Sequence, residues 1–163
     1  MKWNTVQCEA IKRDLVTILT KVGLIGCVKT KLPHPAPAKE LYSSTLFRGR
    51  KGYAERCYDT WLILSAKHHV LLPDTHLEPY DESLKNKSRA EQREWAEQVF
   101  SQLHARFPDS TEHAFYFHTG VEYRRDLIPL FKEHGYNWFN PVKGINIFNL
   151  PSWYAEQERK GEC

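Results

Sequence analysis

Apolar positions recur at intervals of three and four in some stretches and fill short continuous runs in others, which predicts helices alternating with buried strands. Ile11, Leu15, Ile18, Leu19 and Val22 are spaced by four, three, one and three, so residues 6–22 read as one face of a helix that Gly23 ends. Residues 24–28 (LIGCV) read as a first buried strand, with Lys29, Thr30 and Lys31 at its exit. Three prolines make 32–39 an extended loop. A second helix follows a cap at Ser43 or Ser44 and carries Leu46, Phe47, Arg50, Tyr53, Ala54 and Cys57.

Residues 61–65 (WLILS) predict a second strand buried on both faces. Ser88 with Glu91 three residues later is a capping box, and Trp95, Val99, Leu103 and Phe107 at intervals of four continue that helix over 88–107. Residues 113–118 predict a third strand, 121–134 a helix kinked or delayed by Pro129, and 144–148 a short strand before a final helix. The alternation implies one α/β domain over residues 1–163, a mostly parallel sheet with helices on both faces. Ligands bind such sheets at the carboxyl ends of the strands.

Composition fits a folded chain: 41% of its 163 residues are hydrophobic and 26% charged, which excludes disorder as the reading. The net charge of +3 does not by itself mark a nucleic-acid binder. Its distribution is more telling, because Lys29, Lys31, Lys39, Arg48, Arg50, Lys51 and Arg56 face only Glu40 and Glu55 across residues 24–56. Such a segment suits phosphates, or simply a solvated surface. No apolar run approaches the ~20 residues of a membrane span and the N-terminus lacks a signal-peptide pattern, so a cytoplasmic protein is expected. Cys8, Cys27, Cys57 and Cys163 form no C-x-x-C pair, and reduced, mostly buried thiols are expected.

Chemistry concentrates where the second strand ends. Ser65, Lys67 and His68 exit it, and Pro73 and Pro79 then bracket Asp74, Glu78 and, just beyond, Tyr80 and Asp81. A carboxylate on rigid irregular backbone beside a strand end can activate water or steady a developing cation. Each could equally cap a turn or pair with a lysine. His68, His69 and His76 suggest a metal, but neighbouring histidines on extended backbone point to opposite sides, so neither metal nor other cofactor is expected. Tyr42, Ser43 and Phe47, with Tyr80, supply the aromatic and polar mixture of a nucleobase pocket.

The runs LSAKHHVLLPDTHLEPYDESL and GCVKTKLPHPAPAKELYSSTLF together resemble the signature of the YaaA-like superfamily and its bacterial and phage domains of unknown function, over residues 24–84. The resemblance implies a compact α/β domain related to uracil-DNA-glycosylase-like and deazaguanine-modification proteins, with affinity for DNA in some members. Relatives tend to have glycine after Lys-His, where this chain has His69.

These readings combine into an expectation: an N-glycosidic-bond hydrolase, foremost a small DNA glycosylase excising a modified base in phage biology or phage defence. Asp74 or Glu78 would be the catalytic carboxylate and His68 would assist the departing base. Tyr42, Ser43, Phe47, Ser65, Lys67 and Tyr80 would bind the nucleotide, and Lys29, Lys31, Arg48, Arg50 and Lys51 the phosphates of DNA. The alternatives are a non-catalytic DNA-binding module, or a hydrolase or base-exchange transferase acting on free nucleosides or nucleotides.

Overall fold

A computed structural model describes residues 19–163. β1 (Thr20–Gly26) is the central strand of a five-stranded sheet, with β3 (Thr60–Ser65) on one side and β6 (His113–His118) on the other. β4 (His69–Leu71) lies outside β3, and β7 (Asn137–Phe139) outside β6. β1, β3, β6 and β7 are parallel; β4 folds back antiparallel as an edge. A separate ribbon pairs β2 (Ala36–Pro37) with β5 (His76–Leu77). The α/β architecture read from the alternation is the one observed.

Helices cover both faces because the central strands carry apolar side chains on both. On one face Val22, Leu24, Leu62, Leu64, Phe115 and Phe117 pack with Trp95, Val99 and Leu103 of α3 (Arg89–Arg106) and Leu127 and Phe131 of α5 (Leu127–Glu133). On the other, Ile25 and Ile63 meet Phe47 and Ala54 of α2 (Thr45–Cys57), together with Tyr42, just past the short α1 (Ala38–Leu41). The last helix, α6 (Leu150–Lys160), packs on α2 through Tyr154 against Tyr53. Two helix starts follow the sequence closely: Ser44 Oγ accepts from the Phe47 amide, and Ser88 and Glu91 complete a capping box.

Three expectations change, and one, the delayed helix start, is met. The helix of residues 6–22 lies mostly outside the described residues, but Thr20–Val22 belong to β1, and Gly23 sits inside that strand. Cross-strand pairing overrides the helical spacing there. Gly23 is small because Tyr58 covers it: a Cβ would lie 2.5 Å from Tyr58 Cδ2. The helix of 121–134 is broken into α4 (Val121–Arg124) and α5, which is the later start that Pro129 permits. Residues 144–148 are not a strand, because Gly144 takes φ +82° and Asn146 Oδ1 accepts from the Phe148 amide, capping a single 3₁₀ turn into α6. Finally, Cys57 and Cys163 are joined as a disulfide, which the packing of α6 on α2 permits across 106 residues of sequence; Cys27 is free and half-buried, and Cys8 lies outside the described residues. Among the described residues no helix is long and apolar enough to cross a membrane.

His69 adopts φ 61°, in the left-handed region that glycine enters freely. It begins β4 directly after the turn that leaves β3. His69→Val is expected to destabilise the protein by about 1–2 kcal/mol, because a β-branched residue is strained there, whereas His69→Gly is expected to be neutral within about 0.5 kcal/mol. Urea titration of the three proteins distinguishes the cases, and equal loss for both variants would mean that the imidazole, not the backbone, matters.

Candidate functional site

The parallel strands stand in the order second, first, third, fourth, with β1→β3 crossing one face and β3→β6→β7 the other. The chain therefore reverses direction across the sheet between β1 and β6. At such a switch point the flanking connections diverge and leave a crevice at the carboxyl ends of the strands. A cleft of about 390 Å³ opens there, within the range of small-ligand sites. Cys27, Val28, Lys29 and Lys31 line it from the exit of β1, and Glu122 and Tyr123 from the exit of β6. The segment from Asp81 to Asn86 closes its third side with Asp81, Glu82 and Lys85.

Local hydrogen bonds hold these walls. Leu32 N–H donates to the Leu41 carbonyl at 2.8 Å and Ser43 N–H to the Thr30 carbonyl at 3.1 Å, which folds Lys31 back beside Tyr42. Lys31 Nζ lies 4.4 Å from the centroid of the Tyr80 ring and 5.7 Å from that of Tyr42. Burial holds its pKa below the ordinary lysine value, against the opposing effects of Cys27 and Asp81. Across the cleft, Cys27 Sγ is 3.1 Å from the Tyr123 hydroxyl, and burial pushes that phenol upward in pKa. The Glu122 carboxylate lies over Gly120, where a Cβ would be 3.0 Å from Oε2.

Behind the cleft a hydroxyl chain ties the second strand end to the core. Ser65 Oγ accepts the His68 and Lys67 amides at 3.0 and 3.3 Å and meets the Tyr80 hydroxyl at 2.7 Å, which in turn hydrogen-bonds that of Tyr42. Burial raises both phenols, Tyr42 to about 12, so they are neutral donors and acceptors at ordinary pH. Trp95 Nε1–H donates to the Ser65 carbonyl at 2.9 Å. Ser65, Tyr80 and Tyr42 thus set the shape of the edge rather than touching the cleft.

The sequence-level candidates divide accordingly. Lys29 and Lys31 line the cleft. Asp74 and Glu78 do not: both are exposed, and Asp74 pairs with Lys39 at 2.6 Å, because the β2–β5 ribbon carries that loop toward α1. His68 packs its ring edge-on to Tyr80, 5.2 Å between centroids, outside the cleft. Lys67 lines a smaller neighbouring cavity of about 220 Å³ with His69 and Glu82. Tyr42 and Phe47 are buried against each other, centroids 5.0 Å apart, and so cannot stack on a base; Ser43 does not line the cleft. Arg48 lines a separate cavity between α2 and α6, Lys51 lies 3.5 Å from Glu40, and Arg50 is buried.

Glu122 and Tyr123 were not found from sequence. Their position right after the third strand was a usable signal, but only the order of strands makes them neighbours of Lys29. Among the described residues no three His, Cys, Asp or Glu side chains gather as a metal set.

A doubly wound α/β protein with an open cleft at its switch point is what the fold and the site define. By sequence the chain belongs to a family of unknown function (DUF6884), whose profile matches residues 22–156. Neither curated proteins nor solved structures match it.

Proposed function

We propose that the chain is an N-glycosidic-bond hydrolase acting on a nucleotide unit held in the switch-point cleft, foremost a DNA glycosylase for a modified base. The observation that carries this reading is the cleft itself, where half-buried Glu122 and exposed Asp81 face Lys29, Lys31 and Lys85 beside the Tyr123 ring. Base departure leaves positive charge on the sugar, which a nearby carboxylate steadies while orienting water. Glu122 and Asp81 take the role first assigned to Asp74 and Glu78. Tyr123 offers a face to the base, and the lysines offer charge to phosphate. The YaaA-like resemblance supports the same substrate class.

Incubation with oligonucleotides carrying natural and hypermodified bases is expected to release free base, and Glu122→Gln or Asp81→Asn to slow release ~10²–10⁴-fold. A second reading, a DNA-binding module without catalysis, is favoured by the exposure of Asp81 and Glu82. It becomes the better account if DNA binds but no base is released from any substrate. Cleavage of free nucleosides in the absence of DNA would instead point to a small-molecule hydrolase.

A further inference from the structure

Arg50 was expected on a phosphate-facing surface, yet it is 4% exposed and its guanidinium points at the end of the central strand. Nη1 donates to the Gly26 carbonyl at 3.3 Å, Tyr154 is its other polar neighbour, and Nε is buried with no partner. Arg124 approaches the same spot from α4, its Nη1 donating to the Thr119 carbonyl at 2.6 Å. Gly26 and Thr119 touch: a Cβ on Gly26 would lie 3.1 Å from Thr119 Cα. The Thr119 hydroxyl is also buried without a partner. Neither arginine joins a salt bridge among the described residues, and His118 beside them is held neutral.

Two guanidiniums, an unpaired N–H and an unpaired hydroxyl therefore meet where β1 and β6 end, one residue before Cys27 enters the cleft. Buried Arg50 has no carboxylate beside it, which is strongly unfavourable, whereas half-buried Arg124 feels Glu122; guanidinium forks match phosphate oxygens in pairs. We infer that the ends of β1 and β6 form a phosphate site, in which Arg124, Arg50 and the Thr119 hydroxyl hold a phosphate of the ligand whose remainder fills the cleft. The inference deepens the nucleotide reading and rests on it for the cleft's occupant. Lys29, Lys31 and Lys85 then remain for a second phosphate, as a strand within a polynucleotide requires.

The test uses the full chain at constant ionic strength, with inorganic phosphate, a deoxynucleoside, its 5′-monophosphate and a short single-stranded oligonucleotide as probes. Phosphate is expected to raise Tm, and the monophosphate to bind at least about tenfold more tightly than the nucleoside, the discrimination a charge-assisted pair supplies. Tighter binding of the oligonucleotide than of the monophosphate assigns the phosphate to a nucleic-acid backbone; the reverse assigns it to a free nucleotide. Arg124→Gln, at a half-buried position, is expected to remove the discrimination with little change in ligand-free Tm. Arg50→Met is expected to raise ligand-free Tm while abolishing the phosphate-induced shift. Equal binding of nucleoside and monophosphate, or discrimination retained in Arg124→Gln, overturns the site. Base release from substrates with and without the phosphate at equal rates also overturns it and leaves the hydrolase standing. Phosphate discrimination without base release sinks the hydrolase and leaves the site.

Discussion

Acidification from pH 6.5 to 4.5 is expected to remove about 2–3 kcal/mol of folding free energy through His118 alone. This imidazole is fully buried at the end of β6, with Nε2 2.5 Å from the Tyr58 hydroxyl and Nδ1 2.6 Å from that of Tyr154. Burial, and then the nearby Arg50, push its pKa down from 6.5 to about 3. Below pH 6.5 the unfolded chain gains a proton at this position that the folded chain refuses until about pH 3, so stability falls as pH falls through that window. Above pH 6.5 the contribution is constant. The limiting slope is ~1.4 kcal/mol per pH unit for one such group. Burial depresses His68 and His69 too, and they add to the slope in the same direction. Urea denaturation at several pH values, compared with His118→Gln, isolates the contribution. Parallel stability curves for the two proteins would rule it out.

Trp95→Ala is expected to cost about 3–5 kcal/mol, the range for deleting a large buried aromatic. The indole is 3% exposed in the larger core cluster, meets Tyr123 edge-on at 5.3 Å, and donates Nε1–H to the Ser65 carbonyl. Truncation leaves a cavity and removes a donor from the strand-end carbonyl. Trp95→Phe keeps most of the apolar volume and is expected to cost about 1–3 kcal/mol, mainly for the lost donor. Equilibrium unfolding measures both. Because Trp95 braces Ser65 and Tyr123 together, ligand binding in the cleft is expected to weaken in Trp95→Phe even where the fold persists. Unchanged binding would mean that the two walls are held independently.

Legibility followed the range of the forces involved. The start of α3 was readable because a capping box is local, and β3 and β6 because continuous apolar runs at these lengths suit strands buried on both faces. The start of β1 was missed because Leu19 and Val22 satisfy helical spacing, and only pairing of Thr20 with His113 decides otherwise. Lys29 and Lys31 were identified at the site since they follow a strand end in sequence. Asp74 and Glu78 stand out in the sequence for the rigidity of their proline-bracketed loop, a feature that says nothing of direction. The β2–β5 pairing turns that loop away from the cleft, and no local pattern records it. Arg50 looked like surface charge because helix periodicity cannot distinguish a cation facing water from one facing a strand end.

The placement of β1 carries a consequence for how the chain comes together. The earliest of the described strands to be synthesised is the innermost, and its partners arrive much later: Val22 waits for Thr60, and Thr20 for His113. Until then an apolar strand has two open edges, a hazard for mispairing with other nascent chains. Long-range parallel pairing of this kind is also slow, since loops must close before any contact repays them. Folding during translation is therefore expected to stay incomplete until His118 has left the ribosome, so the two strand ends that frame the cleft cannot meet before two-thirds of the chain has been made.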